Sequence, residues 1–558
     1  MTTLLIHYMA PIMFASLVVV LLLGYPAAFS LAAVGLIYAL LGIELGLFQP
    51  DFLQALPERI YGVMNNDVLL AIPFFTFMGL ILERSGMAED LLDTIGQLFG
   101  TVRGGLAYAV IFVGALLAAT TGVVAASVIS MGLISLPIML RYGYDRRVAT
   151  GVIAASGTLA QIIPPSLVLI VMADQLGRSV GDMYEGAFIP GIVLAGLYAV
   201  YVFFVTIFFP KAAPGLPVEA VGFREPNGNR GLTSLAILTA VSAVFAWFVM
   251  RNSETHGADF VVLTMFVGIV FAFVVAVINW VISHMTGFRL LSLMAQQVTF
   301  AMVPPLFLIF LVLGTIFIGL ATPTEGGAMG ATGALLLAFF KRRLTWNIVK
   351  QATEATAKLS SFVVFILLGA RTFSLTFYGV DGHRWVEDLL ISLPGGQIGF
   401  LIFVNTFVFF LAFFLDFFEI AFIVIPLLAG PAEKLGIDLI WFGVILGVNM
   451  QTSFMHPPFG FALFYLRSVA PKESYIDRVT GKRTDGVTTG QIYWGAIPFV
   501  AIQVIMVALV IFFPAMVMHY KGLGTGIDPN KVKIEIQLPD IGVPDIGPPP
   551  AIEPPKIQ

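Results

Sequence analysis

The sequence predicts an all-α protein that crosses a membrane many times and is built from two related halves. Of its 558 residues, 58% are hydrophobic and 11% are charged, whereas a soluble chain carries about 25% charged residues. Long apolar runs recur almost to the C-terminus without the strict alternation of barrel strands. A Pro-Pro pair interrupts one such run in each half. Because only helices and closed barrels satisfy backbone groups in lipid, the runs are predicted to be helices.

The composition excludes several kinds of chemistry. The chain has no cysteine, which rules out disulfides, thiolate metal sites and cysteine nucleophiles. It contains no HExxH, GxSxG or phosphate-binding GxxxxGK[ST] motif, so neither an enzyme nor an ATP-driven pump is predicted. The N-terminus lacks the basic region of a cleaved signal, so its first apolar run is predicted to be a retained span.

The predicted spans follow one another along almost the whole chain. Several exceed the roughly 20 residues that one crossing needs, so these must be broken, tilted or folded back. In chain order they cover residues 10–45, 68–83, 106–140, 148–176, 187–210, 232–251, 259–284, 301–340, 359–378, 398–430, 441–470 and 492–519.

Five regions follow from this pattern. They are a first inverted repeat (1–210, with a hairpin at about 106–140 and a broken helix at about 148–176), a connector (211–299, with two extra spans at about 232–251 and 259–284), a second inverted repeat (300–470, with a hairpin at about 398–430 and a broken helix at about 441–470), a cytoplasmic loop with the last span (471–520) and a proline-rich tail (521–558). If both extra spans cross the membrane, 10–45 and 301–340 must each cross twice, turning near Gly24 and Thr322.

The repeat is visible as a constant spacing. Eighteen residues separate Asp145 from Pro164 and Asp438 from Pro457, so the two copies are offset by 293 residues. The stretch "LLGYPAAFSLAAVGLIYALL" likewise resembles "GLATPTEGGAMGATGALLLA". Such internal similarity indicates two diverged copies of one unit.

The basic residues indicate that the copies are inverted, because cytoplasmic loops collect Lys and Arg. The loop before the first broken helix carries Arg141, Arg146 and Arg147, whereas the matching loop carries Lys434 beside two acids. Conversely, residues 341–343 (KRR) end the opening segment of the second copy, and the matching end of the first copy carries acids and no base. The basic excess therefore changes sides between copies.

Inverted repeats with interrupted helices at corresponding positions are typical of secondary transporters. Carbonyl groups freed at a break, together with nearby hydroxyls, suit a hard cation such as Na⁺, and the amino end of a half-helix suits an anion. Polar candidates lie just before each proline pair: Ser156, Thr158 and Gln161 in the first copy, and Asn449, Gln451, Thr452, Ser453 and His456 in the second. The alternative is that Pro and Gly are simply common in membrane helices, with Ser and Thr bonding back to the chain.

Each hairpin is also interrupted, by Thr120-Thr121-Gly122 in the first and by Asp416 and Glu419 in the second. Asp416 and Glu419 share a helix face, and they could bind a cation, titrate or pair with a base. Glu325 follows a proline and is predicted to cap the helix that begins there, with coupling as the alternative, and the same two roles, helix cap or coupling, are predicted for Glu419.

Arg371 lies within a predicted span. It could hold a substrate carboxylate or neutralise one of the membrane acids.

In this light the sequence resembles the large membrane subunit of the tripartite ATP-independent periplasmic (TRAP) transporters. The resemblance runs through "LLGYPAAFSLA", "LLAIPFFTFMG", "GTLAQIIPPS", "GLATPTEGGAMGA", "FLDFFEIAFIVIPLL" and the second Pro-Pro pair. It implies a Na⁺-coupled elevator importer of the ion-transporter-superfamily fold in the bacterial inner membrane. It also implies two partners, a small four-helix membrane subunit and a periplasmic binding protein that delivers an organic anion.

The resemblance carries the family's functional positions onto Thr120, Thr121, Gly122, Ser127, Gly157, Thr158, Pro164, Pro165, Thr322, Thr324, Pro457 and Pro458. Together with the polar candidates, the predicted Na⁺ ligands are Thr120, Thr121, Gly122, Ser127, Ser156, Gly157, Thr158, Thr322, Thr324, Asp416, Asn449, Gln451, Thr452 and Ser453. The predicted substrate contacts are Gln161, Pro164, Pro165, Ser166, Arg371, His456, Pro457 and Pro458.

The first hairpin tip departs from the family pattern. It reads "TTGVVAAS", where many relatives have a Gly-Ser-Ser cluster, which leaves Na⁺ there to backbone carbonyls and the two threonines. The two extra spans are too few to be the four-helix subunit, which is therefore expected to be a separate chain. A stand-alone sodium/carboxylate symporter of the same fold and a channel remain open as alternatives, and the carried carboxylate stays open too.

Overall fold

Helices form nearly all of the regular structure in this computed structural model, which describes residues 6–220, 222, 225, 231–253, 255, 257–457, 460–477 and 479–521. The α-helices of at least seven residues are Met9–Leu22, Ala27–Glu44, Ala55–Met64, Ala71–Arg84, Met87–Phe99, Gly105–Thr121, Val124–Arg141, Arg146–Thr158, Leu167–Leu176, Val180–Phe208, Leu232–Met250, Gly257–Thr286, Leu293–Ile309, Pro323–Phe340, Trp346–Gly379, Gly382–Ile391, Gly396–Leu411, Phe417–Ile423, Ile425–Lys434, Leu439–Gln451, Phe461–Val469 and Thr489–Phe512. Two short strands, Tyr475–Ile476 and Arg483–Thr484, pair antiparallel in the loop before the last long helix.

Eight helices in the described part of the chain are long and apolar enough to span a membrane, or up to ten if each of two bent pairs counts as one span. Their backbone groups bond within each helix, which is what a lipid environment requires. The predicted all-α polytopic membrane fold is therefore confirmed.

The long opening segments of the two copies both turn where the sequence predicted. Met9–Leu22 ends before Gly24, whose φ is +84°, and Ala27–Glu44 follows. In the second copy the helical segment Leu293–Phe317 ends before Thr322, which caps Pro323–Phe340.

The opening helices exchange partners between the two halves. Ala27–Glu44 packs on Trp346–Gly379, where the Thr376 hydroxyl donates to the Gly35 carbonyl over 2.9 Å. Correspondingly, Pro323–Phe340 packs on Ala71–Arg84 of the first half. The reciprocal exchange is what two copies related by an axis between them would produce.

Two hairpins follow the opening helices. In the first, Gly105–Thr121 and Val124–Arg141 meet at Gly122 and Val123. In the second, Gly396–Leu411 is separated from Phe417–Ile423 by five residues that end at Asp416. Thr120 and Thr121 are still helical, so the first interruption is narrower than predicted and begins at Gly122.

The two helices that carry the matched Pro-Pro pairs, 293 residues apart, are both broken, whereas Leu293–Ile309 contains Pro304 and Pro305 in its interior. The first runs from Arg146 through a 3₁₀ turn to Gln161 and resumes at Leu167. The second runs from Leu439 through a 3₁₀ turn to Phe454 and resumes at Phe461. Each begins at an aspartate, Asp145 or Asp438, whose carboxylate accepts from the amides two and three residues on. The division of the chain into five regions stays a prediction, although these matched caps keep the offset of 293 residues.

Some helices were not predicted from hydropathy. Met87–Phe99 and Gly382–Ile391 are amphipathic, and each lies just before a hairpin. Trp346–Gly379 begins well before the predicted span 359–378. The prediction started too late because the first turns of this helix carry the charged residues Lys350, Glu354 and Lys358. An apolar window cannot register such turns, although they continue the same helix.

The two extra spans form a pair, Leu232–Met250 and Gly257–Thr286. In the most apolar 18-residue stretch of each helix, only 17% and 6% of the residues are buried. Asn279 ties this pair to the second half, because its amide donates to Gln296 and its oxygen accepts from the Leu290 and Leu291 amides. The remaining surface of both helices is apolar, as expected of helices that face lipid.

Candidate functional site

A cavity of about 430 Å³ lies where the two hairpins and the two broken helices meet. Both hairpin tips contribute, through residues 122–125 and 416–418. The rest of the wall comes from the two breaks (Gln161, Leu167, Val168, Phe454 and Phe461), from Tyr465, from the helix Ala71–Arg84 (Thr76 and Leu80) and from the helix Trp346–Gly379 (Ala355, Leu359 and Phe362). The two halves of the chain thus build one enclosure, as the sequence predicted for its interrupted segments.

Four helix N-termini point their first residues at this cavity. Val124–Arg141 and Phe461–Val469 begin there without any side-chain cap. Leu167–Leu176 is capped by the Ser166 hydroxyl and Phe417–Ile423 by Asp416. The first amides of an uncapped helix have no partner within the helix and carry a partial positive charge. Two of the four ends therefore have no side-chain cap among the described residues, and their first amides can receive an anionic group.

Asp416 and Glu419 form a reciprocal cap at the second hairpin tip. The Asp416 carboxylate accepts from the Glu419 amide over 2.8 Å, and the Glu419 carboxylate accepts from the Asp416 amide over 3.0 Å. Of the alternatives that the sequence left open, pairing with a base does not occur for either acid within the described part of the chain. One carboxylate oxygen of each acid thus accepts a hydrogen bond from a backbone amide of the same helix start.

The polar residues before the first break are completely buried. Thr158 donates to the Ala155 carbonyl over 2.8 Å and accepts from the side-chain amide of Gln451 over 3.1 Å. The hydroxyl of Ser156 and the amide oxygen of Gln161 have no hydrogen-bond partner among the described residues.

The peptide carbonyl of Gln161 accepts from the Ser166 hydroxyl across the break. Gln161 is also the only one of these polar residues to line the cavity, through its buried side chain.

Two glycines let the first hairpin approach the first broken helix. A Cβ atom on Gly157 would lie 2.3 Å from Cγ2 of Val128, and one on Gly122 would lie 3.0 Å from the Pro165 carbonyl oxygen. Gly122 also has φ +59°, a conformation that glycine adopts without strain. The tip of the hairpin is therefore seated directly on the break.

Thr120 and Ser127 flank that tip and are both about 1% exposed. Thr120 donates to the Leu117 carbonyl over 3.0 Å, which is the back-bonding alternative that the sequence left open. The side chain of Thr121 lies outside what the structure describes.

The polar residues before the second break hold the helix together rather than lining the cavity. Thr452 and Ser453 donate to carbonyls three residues earlier, each over 2.6 Å. Asn449 instead reaches the second hairpin, where its amide donates to the carbonyl and side-chain oxygens of Asn405.

His456 is enclosed by aromatic rings. Its ring centroid lies 4.2 Å from that of Phe409 and 4.3 Å from that of Phe413, and neither ring nitrogen has a partner among the described residues. It was predicted as a substrate contact, yet it does not line the cavity described above. Pro457 follows it and is half-buried, and Pro458 lies outside the described residues.

The two prolines of the first break face different ways. The Pro165 carbonyl meets the hairpin tip, whereas Pro164 lines a second, apolar cavity of about 650 Å³ beside the extra spans. The sequence could not separate these two orientations.

Thr322, Thr324 and Glu325 lie at the start of Pro323–Phe340, away from both breaks. Thr322 and Glu325 form a capping box, with the Glu325 carboxylate accepting from the Thr322 amide over 2.8 Å. Thr324 donates to the Asp67 carbonyl over 2.6 Å, which fixes this helix to its partner from the first half. The structure does not bring these three residues to the other predicted ligands.

Arg371 is half-buried and has no hydrogen bond or ion pair in the part of the chain that the structure describes. It lies nine residues beyond Phe362, the last cavity residue on its helix, which is about 14 Å along the axis. The structure therefore does not bring it to the cavity.

The sequence missed several residues of the site. Thr76 and Tyr465 line the cavity, and Gln503 and Tyr198 contact the buried end of the first broken helix. They stand in ordinary apolar stretches, so no local signal marks them.

Broken helices and hairpin tips around one internal cavity define a polytopic membrane transport protein. The family profile described as "Tripartite ATP-independent periplasmic transporter, DctM component" matches residues 14–224 and 230–516. The chain therefore belongs to the large permease subunits of TRAP transporters, as the sequence motifs predicted. This is a family of transporter subunits rather than of enzymes.

Curated relatives span most of the chain. The C4-dicarboxylate TRAP transporter large permease protein DctM of Pseudomonas aeruginosa is 26% identical over 475 residues, covering 84% of this chain and 90% of the relative. The ectoine TRAP transporter large permease protein TeaC of Halomonas elongata is 23% identical and covers 92% and 99%. The sialic acid TRAP transporter permease protein SiaT of Haemophilus influenzae is 21% identical and covers 89% and 66%.

Proposed function

We propose that this chain imports an organic anion across the bacterial inner membrane by a Na⁺-coupled elevator mechanism. A periplasmic binding protein delivers the anion, and a separate small four-helix membrane subunit completes the permease. The observation that carries the proposal is the cavity into which both hairpin tips and both helix breaks open.

The helix ends support an anionic substrate. Val123 and Gly460 precede two uncapped helix N-termini at the cavity, and Phe461–Val469 packs against Val124–Arg141. A carboxylate between these ends would accept hydrogen bonds from the orphan amides and favourably meet both helix dipoles. Among the described residues no basic side chain lines the cavity, so backbone amides take the role first predicted for Arg371.

The buried oxygens support a small hard cation near the breaks. Ser156 and Gln161 place oxygen atoms without partners beside the first break, among the described residues. Na⁺ binds through neutral and anionic oxygen atoms, and the described residues contain no cluster of three or more His, Asp or Glu that would suit a metal with charged ligands. The residues present therefore fit Na⁺ held by hydroxyl, amide and carbonyl oxygens.

The ionic contacts support the orientation. Arg141 pairs with Asp477, and Lys341 and Arg343 pair with Asp90. These basic residues, from both halves, come to the loops predicted to be cytoplasmic. The first hairpin then enters the membrane from the cytoplasmic side and the second from the opposite side.

The elevator mechanism is supported by where the cavity lies. One wall is formed by hairpins and broken helices, and the other by Ala71–Arg84 and Trp346–Gly379. Movement of the hairpins and broken helices along Ala71–Arg84 and Trp346–Gly379 would carry a bound anion from one membrane face to the other.

The relatives bear on the substrate class. Their names specify a C4-dicarboxylate, sialic acid and ectoine, which all carry a carboxylate. Isethionate, named for a further relative, carries a sulfonate instead of a carboxylate. An anionic group is thus what these substrates share, and the size of the remainder is left to the binding protein.

The decisive experiment is reconstitution of the permease with its small subunit into proteoliposomes. We expect an inward Na⁺ gradient to drive uphill uptake of the ligand found by screening the binding protein, and only when that protein is added. Uptake without added binding protein would support the stand-alone symporter. Uptake that never exceeds equilibrium would contradict the proposal and support a channel.

A further inference from the structure

A buried polar cluster joins the two broken helices to each other. We call it the axis cluster, and it consists of Thr158, Gln451, Gln503 and Tyr198, all 0% exposed. Gln451 donates to the Thr158 hydroxyl over 3.1 Å, and Gln503 donates to it over 3.4 Å and to the Tyr198 hydroxyl over 2.9 Å.

The cluster lies on the axis that relates the two halves. Thr158 and Gln451 are 293 residues apart, the same offset that separates the two proline pairs and the two capping aspartates. Equivalent residues can touch each other only where the relating axis passes between them. The same turn of both broken helices therefore meets at this bond.

The flanking helices cross at the same place. Tyr198 lies on Val180–Phe208, which packs on the second broken helix, and Gln503 lies on Thr489–Phe512, which packs on the first. These contacts are close, since a Cβ on Gly495 would lie 2.3 Å from the Arg147 carbonyl oxygen. The axis cluster therefore ties the two broken helices to each other and to the two long helices that flank them.

Each end of the central bond is attached directly to a break. Thr158 is the last residue of its α-helix, four residues before the chain leaves the 3₁₀ turn, and Gln451 holds the same place in the second copy. A change in either break moves its own member of the pair. Because the pair is buried and bonded, the other break must respond.

The cluster is also able to rearrange. The Thr158 hydroxyl accepts from two amides at once, and the amide oxygens of Gln451 and Gln503 have no donor within the described residues. Rotation of either amide exchanges one of these bonds for another within the same group. A network with spare acceptors can adopt more than one arrangement, which is what a coupling element requires.

We infer that Gln503 and Tyr198 are positioning residues that couple the two breaks, so that Na⁺ bound at one raises the affinity of the other. This inference rests on the proposed Na⁺-coupled function. Coupling of this kind is reciprocal, and it is measured as a Hill coefficient above 1 for Na⁺.

The test is the Na⁺ dependence of uptake in proteoliposomes, with Tyr198→Phe and Gln503→Met as variants. Tyr184→Phe is the matched control, because Tyr184 is on the same helix, is equally buried and has no hydroxyl partner among the described residues. We expect the Hill coefficient to fall from about 2 towards 1 in both variants and the half-saturating Na⁺ concentration to rise roughly threefold. Tyr184→Phe should retain the wild-type values.

The outcomes separate the two proposals. Wild-type uptake that is independent of Na⁺ would overturn the proposed function, and the inference with it. Cooperative wild-type uptake with unchanged Hill coefficients in both variants would overturn only the inference. Tyr198→Phe removes a single atom, so it keeps the test valid if Gln503→Met does not elute as a folded protein.

Discussion

The two hairpin tips occupy equivalent places and have opposite chemistry. Val123 precedes the second arm of the first hairpin, and Asp416, 293 residues later, precedes the second arm of the other. The helix after Val123 has no side-chain cap, whereas Asp416 and Glu419 satisfy the first amides of their own helix. Both tips line the same cavity.

The difference shows that the two copies share a backbone conformation at this position, whereas their side chains have diverged. The break, the turn and the helix start recur in both copies because the packing of the halves requires them. The cap does not recur, so within the described residues one tip has no side-chain cap and the other carries its own carboxylates. We therefore expect the first tip to receive the anion and the second to act as a closed structural cap.

The largest effect should come from giving the first tip the cap of the second. Val123→Asp would place a carboxylate on the free amides, where it satisfies them and repels an anion. We expect the KM of uptake to rise about 10- to 100-fold, each tenfold being 1.4 kcal/mol.

Val123→Asn is the matched variant, since it caps the helix without adding a charge. A smaller rise is expected for it, measured in the same uptake assay. Equal KM values for Val123→Asp and the wild type would show that the anion does not bind at this tip.

A second test disturbs the seat of the first tip on the first break. In Gly122→Ala the new methyl group would meet the Pro165 carbonyl at 3.0 Å, in addition to the strain of a left-handed residue. We expect the initial uptake rate to fall about tenfold.

Gly177→Ala separates strain from contact. Gly177 has φ +62° and nothing within 4 Å of a Cβ, so its variant incurs the strain alone. Similar uptake rates in the two variants would mean that the close approach of tip and break does not matter.

A third test removes the cap of the second tip. Asp416→Ala leaves the Glu419 amide without its acceptor and should destabilise the protein by about 0.5–2 kcal/mol, seen as a lower melting temperature. Asp416→Asn retains an acceptor and should melt close to the wild type. If Asp416→Asn transported no anion while melting normally, the carboxylate would have a role in ion binding, and the closed-cap interpretation would be wrong.

A last comparison concerns the ion pairs at the membrane-surface ends of the two hairpins. Asp477 is 2% exposed and accepts from Arg141, at the end of the first hairpin, and from two amides of its own loop. Glu387 pairs with Lys434, at the end of the second hairpin, whose side chain is 62% exposed. The Arg141 guanidinium lowers the pKa of Asp477, in accordance with a tight pair.

Replacing each acid by its amide compares how much the two ion pairs contribute to the stability of the protein. Asp477→Asn should cost about 1–3 kcal/mol because a charged hydrogen-bond pair is lost, and Glu387→Gln about 0.2–1 kcal/mol as for exposed ion pairs. Thermal melting of the purified variants checks the order. A larger loss for Glu387→Gln would show that the second hairpin, not the first, is anchored at its base.

Much of the fold could be predicted because its signals are local. Pro164 and Pro457 mark the breaks through a missing amide and a fixed φ, and Gly24 marks a turn. Asp145 and Asp438 mark helix starts because a cap acts on amides two or three residues away. The beginning of Trp346–Gly379 was not predicted, because its first turns are polar and the hydropathy of the chain marks only the apolar part of a helix.

The site was predicted less completely, because it depends on which residues meet. Ser156, Thr158 and Gln161 look alike in sequence, yet only Gln161 lines the cavity and only Thr158 reaches the other half. His456 resembles a ligand in sequence and is packed between two phenylalanines.

By itself, the sequence determined that this is a helical membrane protein with two copies of one unit, each interrupted twice. Hydropathy, proline geometry and capping act over a few residues, so they are legible along the chain. The tertiary structure alone decided that the copies exchange helices, that Thr158 bonds to its own counterpart Gln451, and that one hairpin tip is open and the other closed upon itself. Such contacts join residues hundreds of positions apart, and their partners are selected by how the helices pack.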